Sequence, residues 1–218
     1  MDPRTAVLIS RLANLLAIVG LLLVLTGSLY LQFSVGEQPC PLCLVQRSGM
    51  IGLAVGPLLN LLWGIRARNY AISILAAFTG GAGSVRQVFL HIANPLDPGY
   101  GPAVFGWHLY TWAAVTFVIG VIGCALLLMW ETPLKADDRG LLREGSRLTV
   151  AAVAAFTWVS IYLGVIAVSV VPECGLGLCP DDPDPINGIP GWAFGLALLG
   201  VAAISLAAGA LVSRRRSD

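Results

Sequence analysis

The sequence predicts an all-α membrane protein, and three observations support this fold class. Of its 218 residues, 57% are hydrophobic and only 11% are charged, whereas soluble domains carry roughly one-quarter charged residues. The apolar residues form six long runs, each near the roughly 20 residues that a transmembrane helix needs. A formal net charge of only +1 argues against a nucleic-acid-binding protein.

We expect the six spans at about 12–35, 44–63, 70–91, 106–130, 148–171 and 190–212. The first run resembles a secretory signal in one respect, because Arg4 and Arg11 precede it. It is about 24 residues long, however, and signal peptides have an apolar core of roughly 7–15 residues. No small-residue cleavage site is evident after it, so we expect a membrane anchor.

The basic residues predict the orientation of these spans. Eleven of the thirteen lie before the first run, between the second and third, between the fourth and fifth, or after the sixth: Arg4, Arg11, Arg66, Arg68, Lys135, Arg139, Arg143, Arg147, Arg214, Arg215 and Arg216. The other three loops contain no Lys or Arg. Because Lys and Arg concentrate in cytoplasmic loops, we expect both termini to be cytoplasmic and these three loops to face outward.

Arg47 and Arg86 are the two basic residues outside this pattern. Each is predicted to lie inside a span near its outer end, where an ionisable residue is a functional hypothesis by default. The alternative is that both long side chains reach out to the lipid headgroups.

Four of the five cysteines fall in the outer loops. Cys40 and Cys43 lie at the mouth of the second span, in Cys-Pro-Leu-Cys. A disulfide over two intervening residues closes too small a ring to be a good staple, so this spacing favours thiol–disulfide exchange. Cys43 falls where the second helix begins, and the helix amides together with Arg47, one turn further on, are expected to stabilise a thiolate there.

Cys174 and Cys179 lie in the third outer loop, around Gly175 and Gly177. These glycines and the turn-rich segment after them suit a loop that moves to meet a soluble partner, but a static disulfide is the alternative. Four cysteines allow three pairings, and four thiolates also suit zinc. An oxidising compartment favours disulfides over a zinc site. The fifth cysteine, Cys124, is expected to pack as a small hydrophobic residue.

Residues 39–47, Pro-Cys-Pro-Leu-Cys-Leu-Val-Gln-Arg, resemble the C-x-x-C-x-x-Q-R signature of the disulfide bond formation protein B (DsbB) family. Residues 84–91 and 105–112 are similar to the end of its third span and the start of its fourth. The resemblance covers about residues 1–130. It implies a bacterial inner-membrane oxidoreductase that reoxidises a DsbA-like thiol oxidase outside the cytoplasm and passes the electrons to membrane quinone, either ubiquinone or menaquinone.

The resemblance also assigns roles to individual residues and divides the chain. Cys40 and Cys43 become the quinone-coupled redox pair, and Arg47 contacts the quinone. Arg86 and His91 are expected to close the quinone pocket, with a water-facing interfacial histidine as the alternative for His91. Residues 1–130 are then a four-helix DsbB-like redox domain. Residues 131–218 are a cytoplasmic linker and two additional transmembrane helices with a cysteine-bearing outer loop.

The chain departs from the family pattern in its second cysteine pair. The family carries that pair between its third and fourth spans, but residues 92–105 contain no cysteine. We hypothesise that Cys174 and Cys179 replace it, accepting electrons from the partner and reducing Cys40–Cys43. The alternative from another class is a small six-helix transporter or channel whose outer disulfides are structural.

Overall fold

The computed structural model describes residues 1–93, 103–137, 139–175, 177, 179–180 and 184–215. These residues form seven α-helices: α1 (Pro3–Tyr30), α2 (Pro41–Trp63), α3 (Ala67–Ala93), α4 (Leu109–Met129), α5 (Glu131–Ala136), α6 (Arg147–Cys174) and α7 (Gly191–Arg214). A π-helical turn, Leu31–Val35, continues α1, and a 3-10 turn, Leu141–Arg143, precedes α6. The all-α prediction is confirmed.

Five of these helices are long and apolar enough to cross a membrane, so the chain is a multi-pass membrane protein: α1 with its π-helical turn, α2, α4, α6 as far as Val171, and α7. The predicted third span corresponds to α3, which has 27 residues but is not among the five. The face of α3 that packs against the protein carries Asn69, Ser73, Ser84 and Gln87, all buried. These polar side chains lower its hydropathy although its length suits a span.

Helix α1 begins well before the predicted start of its span, and Arg11 lies inside it. We had expected Arg11 to be a loop cation, but only 7% of it is exposed. Its guanidinium donates to Asp137 at 2.9 Å through Nε and Nη2, and to Glu144 at 2.8 Å through Nη1 and Nη2. Two bidentate carboxylates compensate the buried charge, and they join α1 to the connection between α4 and α6.

Helix α2 is central and packs against α1, α3, α4 and α6. Its approach to α3 is close enough to require glycine, because a Cβ atom on Gly49 would lie 2.6 Å from the Cα atom of Gly80. Small residues allow this kind of backbone contact between membrane helices. Tyr162 and Ile166 of α6 belong to the same hydrophobic core as the first four helices. The division of the chain near residue 130 stays a prediction, but both parts share one core.

The connections separate into two ends of the bundle. At one end Gly140 lies against the end of α2, since a Cβ atom there would be 2.4 Å from the amide nitrogen of Gly64, and Ser213 of α7 donates to the Gly145 carbonyl at 3.4 Å. We call this end of the bundle, which holds Gly64, Gly140 and Gly145, the basic end. The opposite end, which we call the cysteine end, holds residues 31–40 and 184–190. This separation agrees with the predicted alternation of loops, while the membrane side that each end faces stays a prediction.

Candidate redox site

The first turn of α2 positions Cys40 and Cys43. Cys40 is the N-cap residue, with φ −68° and ψ 163°, and Pro41 occupies the first helical position, where its missing N–H costs nothing. The two cysteines form a disulfide with their Cα atoms 5.0 Å apart. The amide of Cys43 donates to the Cys40 sulfur at 3.2 Å. The helix amide therefore contacts Cys40, whereas we had expected it to act on Cys43.

Gln87 of α3 contacts this disulfide from the facing helix. Its Nε2 atom lies 3.4 Å from Sγ of Cys40 and 3.9 Å from Sγ of Cys43. Its Oε1 atom accepts a hydrogen bond of 2.8 Å from Gln46 of α2. Gln87 is only 2% exposed, so the two amides form a buried bridge that holds α3 against the redox pair.

Arg47 is fixed between α1 and α2. Its Nε donates to Oγ of Ser28 at 2.8 Å, Nη2 donates to the Ser28 carbonyl at 3.2 Å, and Nη1 donates to Oε1 of Gln32. The residue is 6% exposed, so it is buried in the bundle rather than extended away from it. Gln32 belongs to the π-helical turn after α1, and π-turns are frequent at functional sites.

A cavity of about 580 Å³ joins these groups. Both sulfurs, Arg47 and Gln87 line it, and most of its remaining wall is apolar, including Leu23, Val24, Leu31, Met50, Leu109 and Ala113. Glu37 and Gln38, from the loop between the π-helical turn and α2, also line it. Nε2 of Gln38 is buried and has no hydrogen-bond partner among the described residues. The cavity thus combines an apolar wall with a disulfide, a cation and an unused donor.

Arg86 does not close this cavity. It is exposed and is not among the residues that line the cavity, although its neighbour Gln87 is. Successive residues of an α-helix point about 100° apart, so the two side chains point in different directions. Because of the helical phase of α3, the amide of Gln87 lies at the sulfurs and the guanidinium of Arg86 does not.

His91 also lies outside the cavity wall, although it is close to it. Its ring packs edge-on against His108 with centroids 4.9 Å apart, and the ring of His108 stacks on Tyr110 at 5.2 Å. Tyr110 lines the cavity. The ring of His91 also lies against that of Tyr110, with centroids 6.0 Å apart. His91 is therefore separated from the cavity by one aromatic ring, and its role in closing the pocket stays a prediction.

Cys174 and Cys179 form the second disulfide, with Cα atoms 4.2 Å apart. Of the three possible pairing schemes, the structure has the one in which both disulfides are local. Each of the four sulfurs is bonded to another sulfur. None of the four is therefore a free thiolate, which the alternative zinc site would require. Cys124 is the fifth cysteine; it is free and buried in the core, as expected.

The loop before α7 lies directly against the segment that follows α1. Ile186 donates its amide to the Gly36 carbonyl at 2.9 Å, and Ile189 donates to the Phe33 carbonyl at 2.6 Å. Gly36 has φ +88°, and a Cβ atom on it would lie 1.9 Å from the Ile186 oxygen. We call residues 185–189 the strap. Pro185 at its start lines the redox cavity, so the segment that follows Cys179 forms part of the site around Cys40.

A family model for the disulfide bond formation protein DsbB matches residues 10–98 of this chain. The disulfide bond formation protein B of Burkholderia pseudomallei is 31% identical over 152 residues, which cover 55% of this chain and 89% of that protein. The chain belongs to the DsbB family. All the cavity residues of α2 and α3, with Glu37 and Gln38, lie within the part that the family model matches.

Two further DsbB relatives match a shorter part of the chain. The protein of Aromatoleum aromaticum is 35% identical over 78 residues, or 34% of this chain and 47% of that protein. Disulfide bond formation protein B 1 of Pseudomonas aeruginosa is 39% identical over 87 residues, or 38% of this chain and 53% of that protein. These two matches thus span about half of each relative's length. No solved structure gives a significant match.

Proposed function

We propose that this protein is a membrane thiol:disulfide oxidoreductase that reoxidises a DsbA-like thiol oxidase and passes the electrons to a membrane quinone. The observation that carries the proposal is the cavity in which the Cys40–Cys43 disulfide, Arg47 and Gln87 meet. A short-ring disulfide suits exchange, and an apolar cavity beside it suits a lipid-soluble electron acceptor. Membership of the DsbB family supports the same function.

The residues of the cavity fit a quinone, either ubiquinone or menaquinone. Its volume lies within the range of roughly 300–1,000 Å³ that is common for small-molecule pockets, and its wall is mainly apolar. The unpartnered Nε2 of Gln38 is a donor for a carbonyl oxygen, and Arg47 supplies a fixed positive charge. A bound quinone supplies the acceptor for two electrons.

The side chains around the sulfurs support both halves of the reaction. The Cys40–Cys43 disulfide is reduced by thiol–disulfide exchange, in which the attacking species is a thiolate. The Cys43 amide and the Gln87 amide both donate to the Cys40 sulfur, and such bonds strengthen when the sulfur is anionic. Arg47 stabilises negative charge on a sulfur and on a ring oxygen beside it. We assign the transfer to the quinone to Cys43.

Cys174 and Cys179 are proposed as the shuttle between the partner and the inner pair. Supporting this role, the strap that follows Cys179 is hydrogen-bonded to the segment that leads into Cys40. Partner thiols reduce Cys174–Cys179, and the resulting thiols reduce Cys40–Cys43. The two additional helices, α6 and α7, thus provide the second cysteine pair that residues 92–105 lack.

We propose that the protein lies in the bacterial inner membrane with the cysteine end outside the cytoplasm. The basic residues of the loops support this orientation, since Arg66, Lys135, Arg139 and Arg143 lie in the connections of the basic end. The redox pairs then face the compartment in which secreted proteins acquire disulfides. Residues 1–130 provide the redox domain in this proposal.

The test is quinone reduction by the purified full-length protein in liposomes, with a reduced DsbA-like protein as donor. We expect Cys40→Ser and Cys43→Ser each to abolish reduction, because one sulfur forms the mixed disulfide and the other resolves it. Cys124→Ser, which changes a buried core cysteine outside the cavity, is the matched control and should retain turnover. Wild-type rates in both active-pair variants would overturn the proposal.

A further inference from the structure

Glu37 is an acidic side chain at the redox cavity. It lines the cavity together with both sulfurs and Arg47, and it is half-buried. Its amide donates to the Leu31 carbonyl at 3.1 Å, and the preceding Gly36 accepts from the strap. The backbone on this side of the cavity is therefore fixed by bonds to both the π-helical turn and the strap, and it places Glu37 in the cavity wall.

Three of the elements that line the cavity around Glu37, α2, α1 and α4, contribute titratable or charged groups. Helix α2 contributes Arg47 and the cysteine pair, α1 contributes Tyr30 and α4 contributes Tyr110. The strap contributes Pro185, and Asp184 just before it is exposed. Among the described residues that line the cavity, Glu37 is the one carboxylic acid. Burial raises the pKa of its carboxyl group above the ordinary value, so the acid keeps its proton to a higher pH.

We propose that Glu37 is the proton-transfer residue of this redox cavity; this inference rests on the proposed function. Oxidation of the reduced pair breaks two S–H bonds and forms one S–S bond. Two electrons and two protons then pass from Cys40 and Cys43 to the quinone and its two oxygens. Glu37 donates its proton to a ring oxygen and takes up one of the protons that the thiols release. The carboxyl group ends the cycle unchanged.

The chemistry explains why an acid is needed at this position. Most of the cavity wall is apolar, and the guanidinium of Arg47 remains charged throughout. Arg47 stabilises negative charge but does not supply a proton. A carboxyl group can both give and accept a proton, which is the requirement for general acid–base catalysis, and burial keeps Glu37 protonated to a higher pH than an exposed glutamate.

The first test compares wild-type protein with Glu37→Gln in liposomes that contain a short-chain ubiquinone, with dithiothreitol as donor. We expect quinone reduction to slow about 100-fold, within the usual range for loss of a general acid. The ratio of wild-type to variant rates should fall as the pH rises through the pKa of Glu37, because the proton donor is then lost. Asp184→Asn, which removes an exposed carboxyl group on the same side, is the matched control and should reduce quinone at the wild-type rate.

A second readout does not depend on turnover. In infrared difference spectra between the reduced and oxidised Cys40–Cys43 pair, the band of the protonated carboxyl group should shift in the wild-type protein and in Asp184→Asn, because the sulfurs of the same cavity change while the carboxyl keeps its proton. This shift should be absent in Glu37→Gln. Dithiothreitol should reduce the disulfide of all three proteins at the same rate without quinone. This control shows that the variant is folded and its sulfurs are accessible.

The outcomes separate this inference from the function on which it rests. If wild-type protein reduces quinone and Glu37→Gln does so at the same rate and with the same infrared band, the inference alone is overturned. If wild-type protein exchanges thiols but reduces no quinone, the proposed function is overturned and the inference is lost with it.

Discussion

Nε2 of Gln87 lies 3.4 Å from Sγ of Cys40, so an amide of α3 contacts the sulfur that caps α2. The sulfur receives this donor in addition to the amide of Cys43. Both donors favour the anionic form of the sulfur over the neutral one. The stability of the reduced pair is therefore linked to how α3 packs against α2.

We predict that Gln87→Leu lowers the reduction potential of the Cys40–Cys43 pair. A hydrogen bond to a charged group contributes about 1.5–3 kcal/mol, which corresponds to roughly 30–60 mV for a two-electron couple. Equilibration with glutathione buffers, followed by alkylation of free thiols, measures the potential. Arg86→Gln is the neighbouring control and should leave the potential unchanged. If Gln87→Leu has the wild-type reduction potential, the hydrogen bond from Gln87 does not contribute to the potential of the Cys40–Cys43 pair.

Replacement of Arg47 by Gln should mainly weaken use of the quinone. The guanidinium donates to Ser28 and Gln32 and lines the cavity, and removal of a charged donor should raise the KM for quinone about 10- to 100-fold. Steady-state kinetics with varied quinone measure this change, and Arg47→Lys should recover part of the affinity. Reduction of the disulfide by dithiothreitol should be unaffected. Slower thiol exchange with unchanged quinone affinity would place Arg47 in a different role.

The shuttle role predicts a difference between two electron donors. With both Cys174 and Cys179 changed to Ser, reduced DsbA-like protein should no longer drive quinone reduction, because its thiols have no outer disulfide to attack. A small dithiol that reaches Cys40–Cys43 directly should still do so at the wild-type rate. Absorbance of the quinone follows both reactions in the same preparation. If the variant and the wild-type protein turn over at the same rate with the protein donor, the Cys174–Cys179 disulfide is structural and is not a shuttle.

Gly36→Ala should release the strap from the first outer loop. The added Cβ atom would lie 1.9 Å from the Ile186 oxygen, and φ at this position is +88°. Hydrogen exchange at the amides of Ile186 and Ile189 should therefore become faster. Gly106→Ala separates the two effects, because Gly106 has φ +79° but nothing within 4 Å of its added Cβ atom. Unchanged protection of both amides in Gly36→Ala would show that the strap is held by other contacts.

The sequence predicted the helices and the grouping of Cys40, Cys43 and Arg47 at one place, because both depend on local patterns. Long apolar runs define the helices, and the spacing of Cys40, Cys43 and Arg47 is visible within the first two turns of α2. The sequence did not predict Gln87, since a charged neighbour drew the assignment to Arg86 and only the phase of α3 against α2 decides between them. The available signal was a glutamine on the face of α3 that also carries Asn69, Ser73 and Ser84.

Other contacts depend on residues that are distant in the chain. Arg11 pairs with carboxylates 126 and 133 residues away, and no local pattern distinguishes it from a loop cation. The strap has no helical or strand periodicity, and its place beside Gly36 depends on how α6 and α7 pack against the other helices. In the sequence, Ser28 and Gln32 do not differ from other polar residues, and only the fold shows that they accept hydrogen bonds from Arg47.

The polar face of α3 has a consequence for how the protein is inserted into the membrane. Asn69, Ser73, Ser84 and Gln87 are buried against other helices, and Ser73 donates to the Leu53 carbonyl of α2 at 2.7 Å. Polar side chains disfavour the entry of a single helix into lipid, but hydrogen bonds to a neighbour reduce that cost. We therefore expect α2 and α3 to enter the bilayer together, as a hairpin, during synthesis. The half of the site that contains the cysteine pair would then already be assembled when these helices are inserted.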